Sequence, residues 1–223
     1  MKDVAPLSSV EQGCVASSVH ANSDKIILHL CASKYGSDTL DYVAAGYDVR
    51  LITKDVDVRS ALFSPDNKWL AFNGIEPIET AKIYGIIANP PCTMFSRART
   101  TAKTPRDLNE GLILVKECLR IIWECQAKVD RDANPRMPLK FWALENPETG
   151  YLKWFLGKPA FVYRHKQFGG NASKTTALWG IFNPPAFFMW SSQEKEIWGG
   201  WKTTDERSIA PPQFTKAFFL ANP

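Results

Sequence analysis

A chain of 223 residues with 45% hydrophobic and 22% charged positions has the composition of an ordinary soluble globular protein, long enough for one α/β domain and hardly for two. Its net charge of +4 suits a polyanionic partner without proving one. Five cysteines at irregular spacing argue against a disulfide framework and for a reducing compartment, no Cys and His spacing fits a zinc site, and the three histidines form no ligand cluster.

Residues 1–24 are rich in Ser, Val and Ala without periodicity, lack the basic start and apolar run of a signal peptide, and read as a loosely ordered leader. No later apolar run reaches membrane-spanning length, so the expected location is the cytoplasm and no membrane partner is expected. From residue 25 to 223 the chain reads as a single domain. Lys25 to Leu30 is a β-run, followed by a loop from Cys31 to Asp38 and a helix from Thr39 to Ala45. Strand, tight loop and helix in that order form the first half of a nucleotide-binding βαβ unit. Gly46 to Val49 then leads into a second strand that ends at Leu51-Ile52-Thr53.

Ile86, Ile87 and Ala88 end a short buried strand that stops at Asn89-Pro90-Pro91 and presents Cys92. Two prolines fix φ and remove two backbone donors, so this loop has little conformational freedom to lose and can hold a nucleophile in place. The basic neighbours Arg97 and Arg99 would favour the Cys92 thiolate, although an isolated cysteine is more often a small buried apolar residue. Arg97, Arg99, Lys103 and Arg106 make a basic segment suited to a phosphate backbone. A helix follows, with Asp107 as N-cap and Glu110 three residues on, and with Leu108, Leu112, Val115, Cys118, Ile122, Cys125 and Val129 on one apolar face.

A second apolar run, Phe141 to Leu144, ends as abruptly at Glu145-Asn146-Pro147. If both runs are parallel strands of one open sheet, Cys92 and Glu145 emerge at the same carboxyl edge, where such sheets bind ligands. Beyond them, Gln167 to Gly180 is a polar turn entering a strand. Gly180 to Arg207 leaves room for a loop and a hairpin, where Trp190, Trp198 and Trp201 stack on bases or cover the sheet. The segment from Arg207 to Ala221 is a turn and a short helix with Phe214, Ala217 and Phe218 inward.

Pro90-Pro91-Cys92 with Phe95-Ser96, then Glu145-Asn146-Pro147, resembles the Pro-Cys and Glu-Asn motifs of the DNA cytosine-5 methyltransferases, most closely their short phage and metagenomic members. The likeness continues through Thr100 to Trp123, Leu152 to Pro159, Gln167-Phe168-Gly169, Lys174 to Gly180, and Arg207 to Pro212 with Ala217-Phe218-Phe219. It implies a Rossmann-like, mostly parallel α/β methyltransferase sheet flanked by helices, over residues 25–223, with the target-recognition domain absent or minimal. It implies S-adenosylmethionine as cofactor and DNA as partner, in a phage host's cytoplasm, with a separate recognition subunit as a further partner. The implied roles are catalysis for Cys92 and Glu145, cofactor binding for Leu30, Gly36, Asp38, Asp57, Pro90 and Ser208, and nucleic-acid binding for Ser96, Arg97, Arg99, Lys174 and Thr176.

Two departures from the family pattern stand out. Only Gly36 occupies a loop in which the family places several glycines, and Thr53 stands where a ribose-binding acid is usual, leaving Asp55 or Asp57 for that role. These departures motivate an alternative, a relative with a changed or lost cofactor site that still binds nucleic acid or nucleotide. A third reading takes Asn89-Pro90-Pro91 as the signature of amino methyltransferases, but Cys92 stands where an aromatic ring should stack.

Overall fold

The computed structural model describes residues 22–34, 36–97, 99, 102–127, 139–170, 173–187 and 209–223. Val129, Trp190, Trp198, Trp201, Arg207 and Ser208 lie outside the described residues, as does nearly all of the leader over 1–24.

The first strand, β1 (Ile26–Ala32), is buried on both faces, as its near-continuous apolar sequence requires of a central parallel strand. The chain turns through a 3₁₀ turn over Ser37–Thr39 into α1 (Leu40–Ala44) and returns as β2 (Asp48–Thr53), parallel to β1. The helix expected over Thr39 to Ala45 is thus one residue shorter at each end, because Thr39 takes the tighter winding and Ala45 is the cap.

Between β2 and the next parallel strand lies a feature the sequence reading does not foresee, a three-stranded antiparallel sheet of β3 (Leu62–Phe63), β4 (Trp69–Phe72) and β5 (Ile75–Glu79). Its two turns carry Asn67 and Gly74 at φ of 58° and 77°, the left-handed region that Asn and Gly tolerate. Strand β6 (Ile83–Ala88) then pairs with β1 on the side away from β2. After the Cys92 loop comes α2 (Leu108–Ala127), whose Glu110 amide donates to the Asp107 carboxylate at 3.0 Å, the N-cap its sequence proposes.

Strand β7 (Phe141–Pro147) pairs in parallel with β6, α3 (Lys153–Leu156) follows, and β8 (Phe161–Arg164) and β9 (Thr175–Ile181) complete the sheet. The order is β2-β1-β6-β7-β9-β8, with β9 antiparallel to both neighbours. This is a Rossmann-like α/β architecture with a mostly parallel sheet. Among the described residues no helix is long and apolar enough to cross a membrane.

Each sheet face buries its own cluster. Leu28, Leu30, Ile86 and Leu144 pack with Val115, Cys118 and Ile122 of α2. The opposite face packs Ile27, Ile87, Phe141, Ala143 and Leu178 against α4 (Pro212–Ala221) through Phe214, Ala217 and Phe218. Alternation along each strand does this sorting, and it sends Glu145, two residues beyond Ala143, to the α4 side. At the centre of that face the Phe141 ring is stacked against Tyr42 at 5.7 Å and meets Phe218 edge-on at 5.7 Å. Gly85 opposite leaves room for it, since a Cβ there would come within 2.3 Å of the ring.

Replacing Phe141 by Ala removes this ring from a site only 1% exposed. The variant should lose about 3–5 kcal/mol of stability in chemical denaturation, and a loss below 1 kcal/mol would mean the face collapses around the gap.

Candidate active site

Strand β6 ends at Ala88, paired with Leu144, whereas β7 runs on through Glu145, Asn146 and Pro147. The sequence reading ends β7 before Glu145. The extension comes from β9, which pairs Glu145 with Leu178, Asn146 with Ala177 and Pro147 with Thr176 on the other edge. Glu145 therefore stands on a rigid strand, and the edge that β6 has vacated faces the Asn89-Pro90-Pro91-Cys92 loop.

Side-chain and backbone bonds brace that loop. The Asn146 amide, fully buried, donates to the Pro90 carbonyl at 2.9 Å. The Asn89 backbone amide donates to the Leu30 carbonyl at 3.0 Å, and the Tyr151 amide to the Phe95 carbonyl at 3.0 Å. Arg106 donates to the carbonyls of Met94 and Ser96 while lying over the Tyr151 ring. Phe95, fully buried, anchors the loop in the α2-side core, and Gly111 lets α2 approach it, for a Cβ there would meet Met94 at 2.8 Å. The Cys92 carbonyl accepts from the Phe95 and Ser96 amides at 2.9 and 2.7 Å, so the cysteine opens a tight turn with its side chain half-buried.

On the α4 side of this edge Asp38, Asn89, Glu145, Lys174 and Thr215 line a cavity of about 30 Å³ whose remaining wall is apolar and aromatic. Lys174 Nζ lies 3.4 Å from Glu145 Oε1, with the two side chains 18% and 22% exposed. The Asn89 side-chain amide donates to Asp38 Oδ2 at 2.9 Å, and His29 Nε2 lies 3.9 Å from the same oxygen. Burial, reinforced by the charge of Glu145, pushes the Asp38 carboxyl up to about 7, against the opposing pull of Lys174 and Asn89. Burial holds His29 down to about 4, and burial with the Lys174 charge holds His165 down to about 3, so both imidazoles are neutral at pH 7. Burial, then the charges of Glu145 and Asp38, raises the Tyr163 hydroxyl well above its usual range, and its ring stacks on Phe214 at 4.0 Å.

The other sequence-predicted residues sort by position. Pro90 is buried with its carbonyl taken by Asn146, and Leu30 is core, its carbonyl taken by Asn89. Gly36 adopts a φ of 54° beneath Leu51, where a Cβ would meet the leucine at 2.9 Å. Asp57 is exposed and bound by the Arg59 guanidinium at 2.8 Å, yet close enough to Cys31 to act on its thiol. Arg97 is exposed, whereas Arg99 donates within its own loop to Pro105 and Thr104. Lys174 turns inward to Glu145 rather than outward. Thr176 has no exposed surface, so the phosphate contact expected of it is closed off by Tyr163 and the strand pairing around it.

Sequence reasoning misses His29, Ser33 and Ser37, and meets Asn89 only in the amino-methyltransferase signature rather than as a partner of Asp38. The Ser33 and Ser37 hydroxyls on the first βα loop are buried and reach no hydrogen-bond partner among the described residues. Two serines flanking the loop's glycine were a readable signal. Among the described residues no group of three or more His, Cys, Asp or Glu could hold a metal ion. Compared with known protein families and with curated proteins, the chain matches no family model and no curated relative.

The raised Asp38 group makes stability depend on pH. The unfolded carboxyl releases its proton near 3.8 and the folded one near 7, so the folded state holds the extra proton between them and stability falls as pH rises through that window. His29 and His165, depressed when folded, act in the opposite sense below their unfolded value. The Asp38→Asn variant isolates the carboxyl's share. Its stability relative to the parent should increase from pH 4 to pH 7 by up to roughly 4 kcal/mol, read by urea denaturation at each pH; a flat difference would contradict a buried, proton-holding Asp38.

Proposed function

We propose that this protein transfers a methyl group from S-adenosylmethionine to C5 of cytosine in DNA. The observation that carries the proposal is the meeting of two motifs at one sheet edge: Asn146 binds the Pro90 carbonyl, holding the Cys92 loop beside the strand that carries Glu145.

Cytosine C5 is a poor nucleophile. Addition of the Cys92 thiolate to C6 turns the ring into an enamine whose C5 attacks an electrophilic methyl group. Glu145, taking up a proton from solvent as the base enters, is suited to relieve charge at N3 by donating that proton or a hydrogen bond, and Lys174 beside it fixes its orientation. Transfer of the C5 proton to a water molecule, with the N3 proton returning to Glu145, then gives back the electron pair that expels Cys92 as a thiolate and restores the aromatic ring. C6 is hidden in stacked duplex DNA, so the nucleotide is flipped out or already unpaired, at a cost of a few kcal/mol.

S-adenosylmethionine supplies the methyl group as a sulfonium. The residues at hand suit such a ligand. Strand order reverses at β1, since β2 and β6 lie on its two sides, and the crevice at the carboxyl ends of β1 and β6 is where open α/β sheets bind ligands. The hydroxyls of Ser33 and Ser37, without a hydrogen-bond partner among the described residues, are there for its polar groups, Asp38 and the Phe214 ring for a cationic centre, and Asp57 stands on the β2 side for ribose hydroxyls. Arg97 and Lys103, both exposed, are the cations of the 96–107 segment open to a DNA backbone.

The alternative, a relative that binds nucleic acid or nucleotide with an altered cofactor site, draws on the Asp57–Arg59 pair, which occupies the acid assigned to the ribose. One experiment separates the two. An oligonucleotide containing 5-fluorocytosine cannot lose a proton from C5 after methylation, so a methylating enzyme stays covalently attached. Incubation with S-adenosylmethionine should give a denaturation-resistant complex that Cys92→Ser abolishes and Glu145→Gln forms 10²–10⁴ times more slowly. A folded protein that gives no adduct on single- or double-stranded DNA, or an adduct that survives Cys92→Ser, would overturn the proposal.

A further inference from the structure

Cys31 and Cys118 come together from positions 87 residues apart, with their sulfurs at 3.8 Å. Cys31 sits where β1 slips register against β2, between Leu30 and Ala32, and its φ of 52° is a left-handed conformation that costs a non-glycine residue energy. The ladder therefore does not lock this residue as it locks Leu30. Cys118 lies on the buried face of α2 with no exposed surface. Neither thiol is used by the proposed methyl transfer.

We propose that Cys31 and Cys118 are a reversible dithiol–disulfide pair, closed by exchange with a low-molecular-weight disulfide such as oxidised glutathione. The half-buried Cys31 is the sulfur a small disulfide can reach, and Cys118 is the one that resolves. Cys31 thiolate attacks one glutathione sulfur and releases the other glutathione as thiolate. Cys118, giving up its proton, then attacks the Cys31 sulfur and expels the second glutathione, so two protein thiols are oxidised as one glutathione disulfide is reduced to two glutathiones. The hydrogen bond between the two thiols favours this division of labour: it lowers the pKa of the Cys31 thiol, against burial and the Asp57 charge, and together with burial raises that of Cys118.

Bond formation brings the sulfurs from 3.8 Å to about 2.04 Å. The side free to move is the bulged end of β1, and the loop it carries holds Ser33, Gly36 and Asp38. Oxidation would therefore draw the first βα loop toward α2 and away from the Asn89 amide that Asp38 accepts. The pair gives the crevice a redox-dependent shape independent of what binds there.

The full chain, equilibrated with oxidised glutathione and then alkylated, is digested without reduction and mapped by mass spectrometry. A linked peptide pair carrying Cys31 and Cys118, lost on adding dithiothreitol and retained in Cys92→Ser, is the expected result. Cys118→Ser should instead trap glutathione on Cys31, and Cys31→Ser should leave Cys118 unmodified in the folded protein. The proposal fails if both cysteines remain thiols, if Cys31 takes glutathione in the parent without passing to Cys118, or if Cys118 is modified in Cys31→Ser.

Discussion

The Asn146 side chain donates its amide to the Pro90 carbonyl, and the candidate site rests on that bond. Pro90 and Pro91 make the loop stiff but cannot place it, because a proline offers no backbone N–H to a neighbouring strand. Placement comes from outside: from Asn146 on β7, from the Leu30 carbonyl on β1, and from Arg106 and Tyr151 on the α2 side. β7 can reach across because it outruns β6 by three residues, and it can do so as a strand because β9 holds its far edge. The antiparallel strand in an otherwise parallel neighbourhood is thus the element that turns Glu145 from a loop residue into a fixed one.

The electrostatics of the edge follow from its dryness. Asp38 and Glu145 share one cavity with one lysine, and Lys174 sits 3.4 Å from Glu145. Burial first, and then the neighbouring Glu145 charge, make a second carboxylate charge costly in that space, which is why Asp38 holds its proton to about 7 while accepting from Asn89. The neutral His29 beneath it adds no positive charge. At neutral pH the Asp38 carboxyl therefore stands close to a protonation change.

Much of this was legible in the chain. Apolar runs that stop at Asn89-Pro90-Pro91 and at Glu145-Asn146-Pro147 mark two strand ends, and their parallel pairing follows from the α/β pattern. Asp107 marks the start of α2 because N-capping is a local interaction. What could not be read depends on pairings between distant residues. β9 extends β7 across about thirty positions, and the Asp38–Asn89 bond spans 51. Lys174 and Thr176 look alike from the sequence, as polar residues entering a strand, yet one turns to Glu145 and the other is sealed in. The β3–β5 sheet carried readable turns at Asn67 and at Asn73-Gly74, but its strands are too short for alternation to announce them.

The most direct measurement is the product itself. The purified protein is incubated with isotopically methyl-labelled S-adenosylmethionine and with single- and double-stranded DNA, and the DNA is hydrolysed to nucleosides for mass spectrometry. The account predicts labelled 5-methylcytosine from the parent protein and none from Cys92→Ser. Label in N4-methylcytosine or N6-methyladenine, or no label from a folded protein on either DNA, would contradict it.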